Sequence, residues 1–220
     1  MGRYGLASKT ILVADDHPLI RDALRLAIEA MYDDVQVIEA CSIRDALDKM
    51  DDCMALDLIL LDLRMPDAEG FSGLALIHAE QPEVPILVVS AAEAGAAASG
   101  AKRYGAVGFL SKSADIPTIR RSITAAIARD AASLDALNGQ SDAEIDAMAE
   151  RIASLTSAQL KVMLGVLAGR LNKQIAYDLG ISEATVKAHM TAVMRKLNVQ
   201  NRTQAVLAAR ALALEPEAVL

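Results

Sequence analysis

The chain has 220 residues, 53% of them apolar but only 3% aromatic, with no Trp and a formal net charge of −7. That length accommodates two small domains, each with its own core, and the scarcity of rings excludes a stacking platform for single-stranded nucleic acid. Residues 1–127 carry −7 and residues 128–154 carry −4, whereas residues 155–220 carry +4, so only the C-terminal segment suits an anionic polymer.

No apolar run approaches the ~18 residues of a membrane span, and residues 1–10 lack the charged-then-apolar pattern of a signal peptide. Leu6 stands where myristoylation would need Ser or Thr. The expectation is a cytoplasmic protein without a membrane partner. Cys41 and Cys53 form neither a close pair nor a metal motif and read as idle or buried thiols.

Five short apolar runs, residues 11–14, 35–38, 58–61, 86–89 and 107–110, alternate with segments of helical spacing such as Leu19, Ala23, Leu24, Leu26 and Ala27, or Ile43, Ala46, Leu47 and Met50. Strand alternating with helix predicts an α/β doubly wound, five-stranded parallel sheet. The ends of these strands carry Asp15 and Asp16, Asp62, Ser90 and Lys112, and the C-terminal edge of a parallel sheet opens into a crevice. Clustered carboxylates repel one another, and a hard divalent ion with oxygen ligands, Mg2+, relieves the repulsion. With the acids on a metal and a lysine as counter-charge, a phosphoryl group is the remaining ligand that makes chemical sense. An Asp-Asp pair after a strand can also be a helix cap. His17 reads as a polar helix-start residue, and His78 as a helix-surface residue.

The combination of an acidic pair, an Asp followed by Leu63, Arg64, Met65 and Pro66, and the Ser and Lys resembles the receiver domain of bacterial two-component response regulators over residues 9–129. The resemblance implies a flavodoxin-like fold in which Asp62 accepts a phosphoryl group from a histidine kinase. It further implies that Asp15, Asp16, Asp62 and the backbone carbonyl of Arg64 bind Mg2+. Ser90 and Lys112 would contact phosphoryl oxygens, and Phe109 would be the aromatic that responds to Ser90. Ser113 follows Lys112 where many receivers have Pro. Residues 93–104 hold Gly95 and Gly100 among small residues, which predicts a loosely held fourth helix that responds to the phosphoryl group.

Residues 130–154 are acidic and broken at Asn138 and Gly139, and read as a linker, partly helical through Asp142, Ile145, Met148 and Ile152. Residues 155–213 read as a small all-α domain. Thr156 caps a helix bearing Leu160, Met163, Leu164 and Leu167; a short helix with Ile175, Ala176 and Leu179 stops at Gly180; Ser182 caps a third with Val186, Met190, Val193 and Leu197. Two helices joined by a Gly-containing turn make a helix-turn-helix. The stretch from Asn172 to Ala176 and that from Gly180 to His189 resemble the LuxR-type DNA-binding domain, so the whole chain resembles a NarL/FixJ-family response regulator. The resemblance implies double-stranded DNA as partner, with Lys187, Thr185, Ala188, Thr191 and Arg195 facing the groove and Lys173 and Arg202 nearer phosphates. It also implies a homodimer when active. His189 is expected at the helix flank, Thr203 as cap of the last helix, and Gln159 replaces an acid common in the family. The function expected is phosphorylation-dependent transcription regulation without enzymatic activity. The alternatives are a regulator with a phosphorylation-independent receiver, or an Asp-nucleophile phosphatase, disfavoured by Arg64 where such an enzyme has a second acid.

Overall fold

The computed structural model describes residues 9–53, 55–68, 70–91, 94–138 and 151–211. Five strands, β1 (Lys9–Ala14), β2 (Val35–Ala40), β3 (Leu58–Leu61), β4 (Ile86–Ser90) and β5 (Ala106–Ser111), form one parallel sheet of order β2-β1-β3-β4-β5. Between and after them run α1 (Pro18–Glu29), α2 (Ile43–Asp51), α3 (Ser72–Glu80), α4 (Ala94–Arg103), α5 (Ile116–Ala128) and α6 (Ala131–Asn138). All five expected strands are present.

Both faces of the sheet are apolar because each strand feeds alternate residues to opposite sides. Ile11, Val13, Leu58, Leu60, Leu87, Val89 and Leu110 pack with Leu24 and Ile28 of α1 and Ile123 of α5. Leu12, Ala14, Ile59, Leu61, Ile86, Val88 and Phe109 pack on the other side with Ile43, Ala46 and Met50 of α2 and with Leu74 and Ile77 of α3. Such two-sided cover is what makes the strands read as continuous apolar runs.

Helicity after α5 begins earlier than the linker expectation placed it. Arg129 turns the chain in the left-handed region (φ 53°), and α6 returns to bury Leu134 with the α1/α5 cluster. The expected helix through Asp142, Ile145 and Met148, and the positions Glu93 and Gly139, lie outside the described residues.

The C-terminal elements are α7 (Ser157–Leu167), α8 (Asn172–Asp178), α9 (Glu183–Leu197) and α10 (Arg202–Ala211). Thr156 caps α7 in a reciprocal box: Gln159 N donates to Thr156 Oγ1 and Thr156 N donates to Gln159 Oε1. The side chain that replaces the family's acid is therefore a capping residue. Ser182 caps α9 through Thr185 N (3.1 Å). Thr203 does not cap α10: it lies inside the helix, and Asn201 Oδ1 accepts from Gln204 N (2.9 Å) instead.

One further expectation needs correction. His78 is not a surface residue; it is half-buried, its Nδ1 is buried without a hydrogen-bond partner, and Gly105 packs directly on its ring. In α4, Ala98, Gly100 and Ala101 are buried. Gly100 there is not merely a weak helix former: a Cβ would lie 2.3 Å from Phe71 Cζ, so its bareness admits the ring.

Candidate functional site

The strand order reverses between β1 and β3, and a crevice forms outside the strand ends at such a switch point. The parallel ladders run one rung beyond the strands: Asp15 N donates to Ala40 O (3.1 Å), Asp62 N to Ala14 O (2.8 Å) and Lys112 N to Ser90 O (2.8 Å). The sheet itself thus fixes the backbone beneath three of the candidate side chains.

Asp15, Asp62 and Ser90 are 1%, 3% and 2% exposed. Lys112 Nζ donates to Asp62 Oδ2 at 2.7 Å and stands 2.7 Å from Asp15 Oδ2, a charge contact without hydrogen-bond geometry. Burial pulls the Lys112 pKa down, but the attraction of the Asp15 and Asp62 carboxylates together outweighs it and holds the group above its ordinary value. Asp62 Oδ1 accepts from Arg64 N (3.2 Å), and Asp15 Oδ1 from His17 N (2.9 Å). Ligand atoms of Asp15, Asp16, His17 and Asp62 lie within 4.8 Å of one another.

Asp16 does not cap α1. The N-cap is His17, whose side chain makes no capping bond; its Nδ1 instead lies 2.5 Å from Asp16 Oδ1 and 3.3 Å from Asp15 Oδ1. The histidine is thus both a helix-start residue, as expected, and a neighbour of the acids. Three carboxylates here face one lysine. Asp15 Oδ2, beside Lys112 Nζ, and Asp16 Oδ1, beside His17 Nδ1, are buried without an aligned hydrogen bond, and these carboxylate oxygens with those of Asp62 fit a hard divalent cation.

Phe109 is buried (4% exposed) in the cluster that includes Phe71 and Tyr104. Phe71 stacks on Tyr104, centroids 5.2 Å apart and planes at 21°, and burial pushes the Tyr104 pKa well up.

Several supporting residues escaped sequence reasoning. Arg21 donates through Nη1 to Asp15 O (2.7 Å) and through Nε to Glu39 Oε2 (3.1 Å), while Arg25 Nε donates to Glu39 Oε1 (3.1 Å). Asp67, in the loop after Asp62, accepts from Ile43 N and Arg44 N, both at 2.8 Å, and so ties that loop to the N-terminus of α2. The spacing of Arg21 and Arg25 along one helix was legible, but their common target on β2 was not.

In the C-terminal domain α8 and α9 are joined at Gly180 (φ 64°). Val186, Met190, Val193 and Leu197 of α9 are buried, while Lys187, Ala188, Thr191 and Arg195 are exposed. Thr185 is half-buried, its hydroxyl 2.8 Å from Ser182 Oγ, and Thr191 Oγ1 donates to Lys187 O (3.0 Å). His189 is half-buried at the flank, as expected. Lys173 is exposed, whereas Arg202 is half-buried and donates to Asn172 Oδ1 (3.0 Å) and Arg170 O (2.7 Å), stapling the start of α10 to the α7–α8 turn.

A parallel-sheet domain with this acid and lysine cluster, joined to a helix-turn-helix with an exposed basic face, defines the class of response regulators. Residues 11–124 match the response regulator receiver domain and residues 153–209 the luxR family of bacterial regulatory proteins. The chain is 39% identical over 211 residues to the glycerol metabolism activator of Pseudomonas putida, covering 90% of this chain and 94% of that protein. It is 30% identical over 199 residues to the nitrate/nitrite response regulator NarP of Escherichia coli strain K12, covering 90% and 92%. RcsB of Salmonella typhimurium, in a structure described by its conformational dynamism for DNA interaction, shares the fold at TM-score 0.54 and 20% identity, over 95% of this chain and 100% of that one. The chain belongs to the NarL/FixJ family of response regulators. That family comprises DNA-binding transcription regulators, and among the described residues no helix is long and apolar enough to cross a membrane.

Proposed function

We propose that Asp62 accepts a phosphoryl group from a histidine kinase or a small phosphodonor in a Mg2+-dependent step, and that this controls dimerisation and sequence-specific binding to double-stranded DNA. One observation carries the reading: a buried carboxylate at the end of β3 is hydrogen-bonded to Lys112 while two further carboxylates, from β1, crowd the same edge. A plain structural ion pair has no use for the surplus acids. An Asp62 oxygen attacks phosphorus as the bond to the donor's imidazole nitrogen breaks, the nitrogen keeping the electron pair, and an acyl phosphate forms. Lys112 and Ser90 hold phosphoryl oxygens. Asp15, Asp16, Asp62 and the Arg64 carbonyl would hold Mg2+, which when bound neutralises charge on the transferring group.

On the DNA side, Lys187, Ala188, Thr191 and Arg195 face the major groove with Thr185 at the helix start, and Lys173 and Arg202 lie nearer phosphates. Two linked domains on two half-sites gain effective concentration that a single small domain lacks. The chain is the recipient of the phosphoryl group rather than an enzyme, and works in the cytoplasm. The name of the glycerol metabolism activator suggests activation as the direction of output.

Incubation with acetyl phosphate and Mg2+ is expected to add one phosphoryl group per chain by intact mass, and none in Asp62→Asn. Labelling that survives in the variant contradicts the assignment. A labelled protein whose operator affinity and oligomeric state are unmoved would instead favour a phosphorylation-independent receiver.

A further inference from the structure

Asp15 is gripped from β2 at both ends of its backbone. Its N–H donates to Ala40 O (3.1 Å), and its carbonyl accepts from Arg21 Nη1 (2.7 Å), whose Nε donates to Glu39 Oε2 (3.1 Å). Glu39 and Ala40 are consecutive, so one stretch of strand holds the N–H directly and the carbonyl through a guanidinium. The other Glu39 oxygen accepts from Arg25 Nε (3.1 Å), and the Glu39 carbonyl accepts from Lys49 Nζ of α2 (2.5 Å). The Arg21 side chain is only 15% exposed although it stands on an outer helix, so the bridge is an enclosed feature rather than a solvated surface pair.

The carbonyl of Asp15 and the N–H of Asp16 belong to one rigid peptide plane. A donor fixed on that carbonyl therefore sets the direction in which Asp16 and its carboxylate leave the strand. The Asp15 side chain is set separately, by His17 N (2.9 Å) and by Lys112 Nζ, 2.7 Å from its Oδ2. Asp16 Oδ1 touches His17 Nδ1 without an aligned hydrogen bond, so the peptide plane before it bears much of its placement. An arginine this near a group of carboxylates would by charge alone oppose a cation. Glu39 cancels that charge, and the pair shapes the site without competing for it. Outer partners that fix metal ligands in this way are worth about 10–100-fold in affinity.

We propose that Arg21, held by Glu39, is a positioning residue for the divalent-cation site: it fixes the Asp15–Asp16 peptide so that both carboxylates are set for Mg2+ before the ion arrives. The inference rests on the Mg2+-dependent phosphorylation of Asp62 proposed above. The direction of the effect separates positioning from charge. Charge alone predicts tighter Mg2+ binding in Arg21→Met and no change in Arg21→Lys. Positioning predicts weaker binding in both, because a lysine has no fork with which to hold Asp15 O and Glu39 together.

The test titrates Mg2+ alone, without phosphodonor and at constant ionic strength, into the full chain. It reads the rise in urea midpoint, whose dependence on Mg2+ concentration gives the Kd. The wild type is expected to be stabilised, and Arg21→Met and Arg21→Lys to bind Mg2+ about tenfold more weakly. A structural loss alone would lower the midpoint and leave that concentration dependence unmoved. Arg25→Met, which keeps the Arg21 bridge, is expected to stay within about twofold of the wild type. With acetyl phosphate, the Mg2+ concentration that half-saturates labelling is expected to rise with the Kd, while the rate at saturating Mg2+ holds within about threefold. Unchanged or tighter Mg2+ binding in the Arg21 variants overturns the positioning role, as does an equal loss in Arg25→Met. Should Arg21→Met not fold, Arg21→Lys decides alone. A wild type that Mg2+ does not stabilise, or stabilisation undiminished in Asp16→Asn with Asp62→Asn, overturns the metal site itself, and the inference with it.

Discussion

Lys112 is the residue on which the acidic edge depends. Its ammonium is the counter-charge to two almost fully buried carboxylates, and removing one member of such a set leaves charge stranded in a poor solvent. Lys112→Met is expected to abolish phosphorylation by acetyl phosphate and to lower stability in urea by about 3 kcal/mol, with excess Mg2+ recovering part of the stability. Because the folded state holds this lysine above its ordinary value of 10.5, its contribution is fully present below that pH. It is lost as pH rises through the folded-state value. The stability gap between wild type and Lys112→Met should therefore close in alkaline titration, and a gap independent of pH would contradict the pairing. His78 works in the opposite range. Burial pulls its pKa below 6.5, so the unfolded chain takes up a proton first and stability falls as pH drops below that value. His78→Gln should flatten the decline in urea midpoint between about pH 7 and 5.5. The acids and Lys112 were legible as a set, because capping or a surface charge can account for any one of them but not for acids, a hydroxyl and a lysine ending four neighbouring strands. Arg21, Glu39 and Asp67 were not, since a charged side chain on a helix, strand or loop looks solvated until its partner is brought near.

At the level of elements, strands were the most legible part. Two-sided burial forces continuous apolar runs, and expected and observed strands differ only by a residue or two at their ends. Helix caps were legible where the capping side chain is local: Thr156 and Ser182 act as expected, while Asn201 replaces Thr203 because a cap must precede the first helical turn. The α3–α4 packing was not legible. Gly100 suggested a weak helix, whereas the fold uses its missing side chain to seat Phe71. Gly100→Ala is expected to destabilise the protein by about 1–3 kcal/mol, and Phe71→Leu to restore a large part of that in the double variant. Additive losses in a double-mutant cycle would show that the two residues do not share the contact. Gly105→Ala should cost more than helix propensity alone predicts, because φ is 93° and its Cβ would meet the His78 ring.

Across the whole molecule, an acidic receiver is joined to a basic output domain. Operator binding should weaken steeply with salt, since each phosphate contact releases a counterion. Lys187→Ala should lower operator affinity about tenfold, and Lys173→Ala should reduce the salt slope by about one; gel shifts over a salt series check both. By itself the sequence determined the two domains' fold classes, the parallel sheet with acids and a lysine at one edge, the helix-turn-helix and its exposed basic face. These follow from periodicity, strand-end chemistry and local capping, all short-range patterns written along the chain. Only tertiary structure decided what supports the acids, why α4 contains a glycine at position 100, that α6 packs back on the receiver, and that α3 meets α7. Those outcomes depend on which surfaces distant segments bring together, and an apolar residue on a helix does not announce whether it will be covered by its own sheet or by another domain.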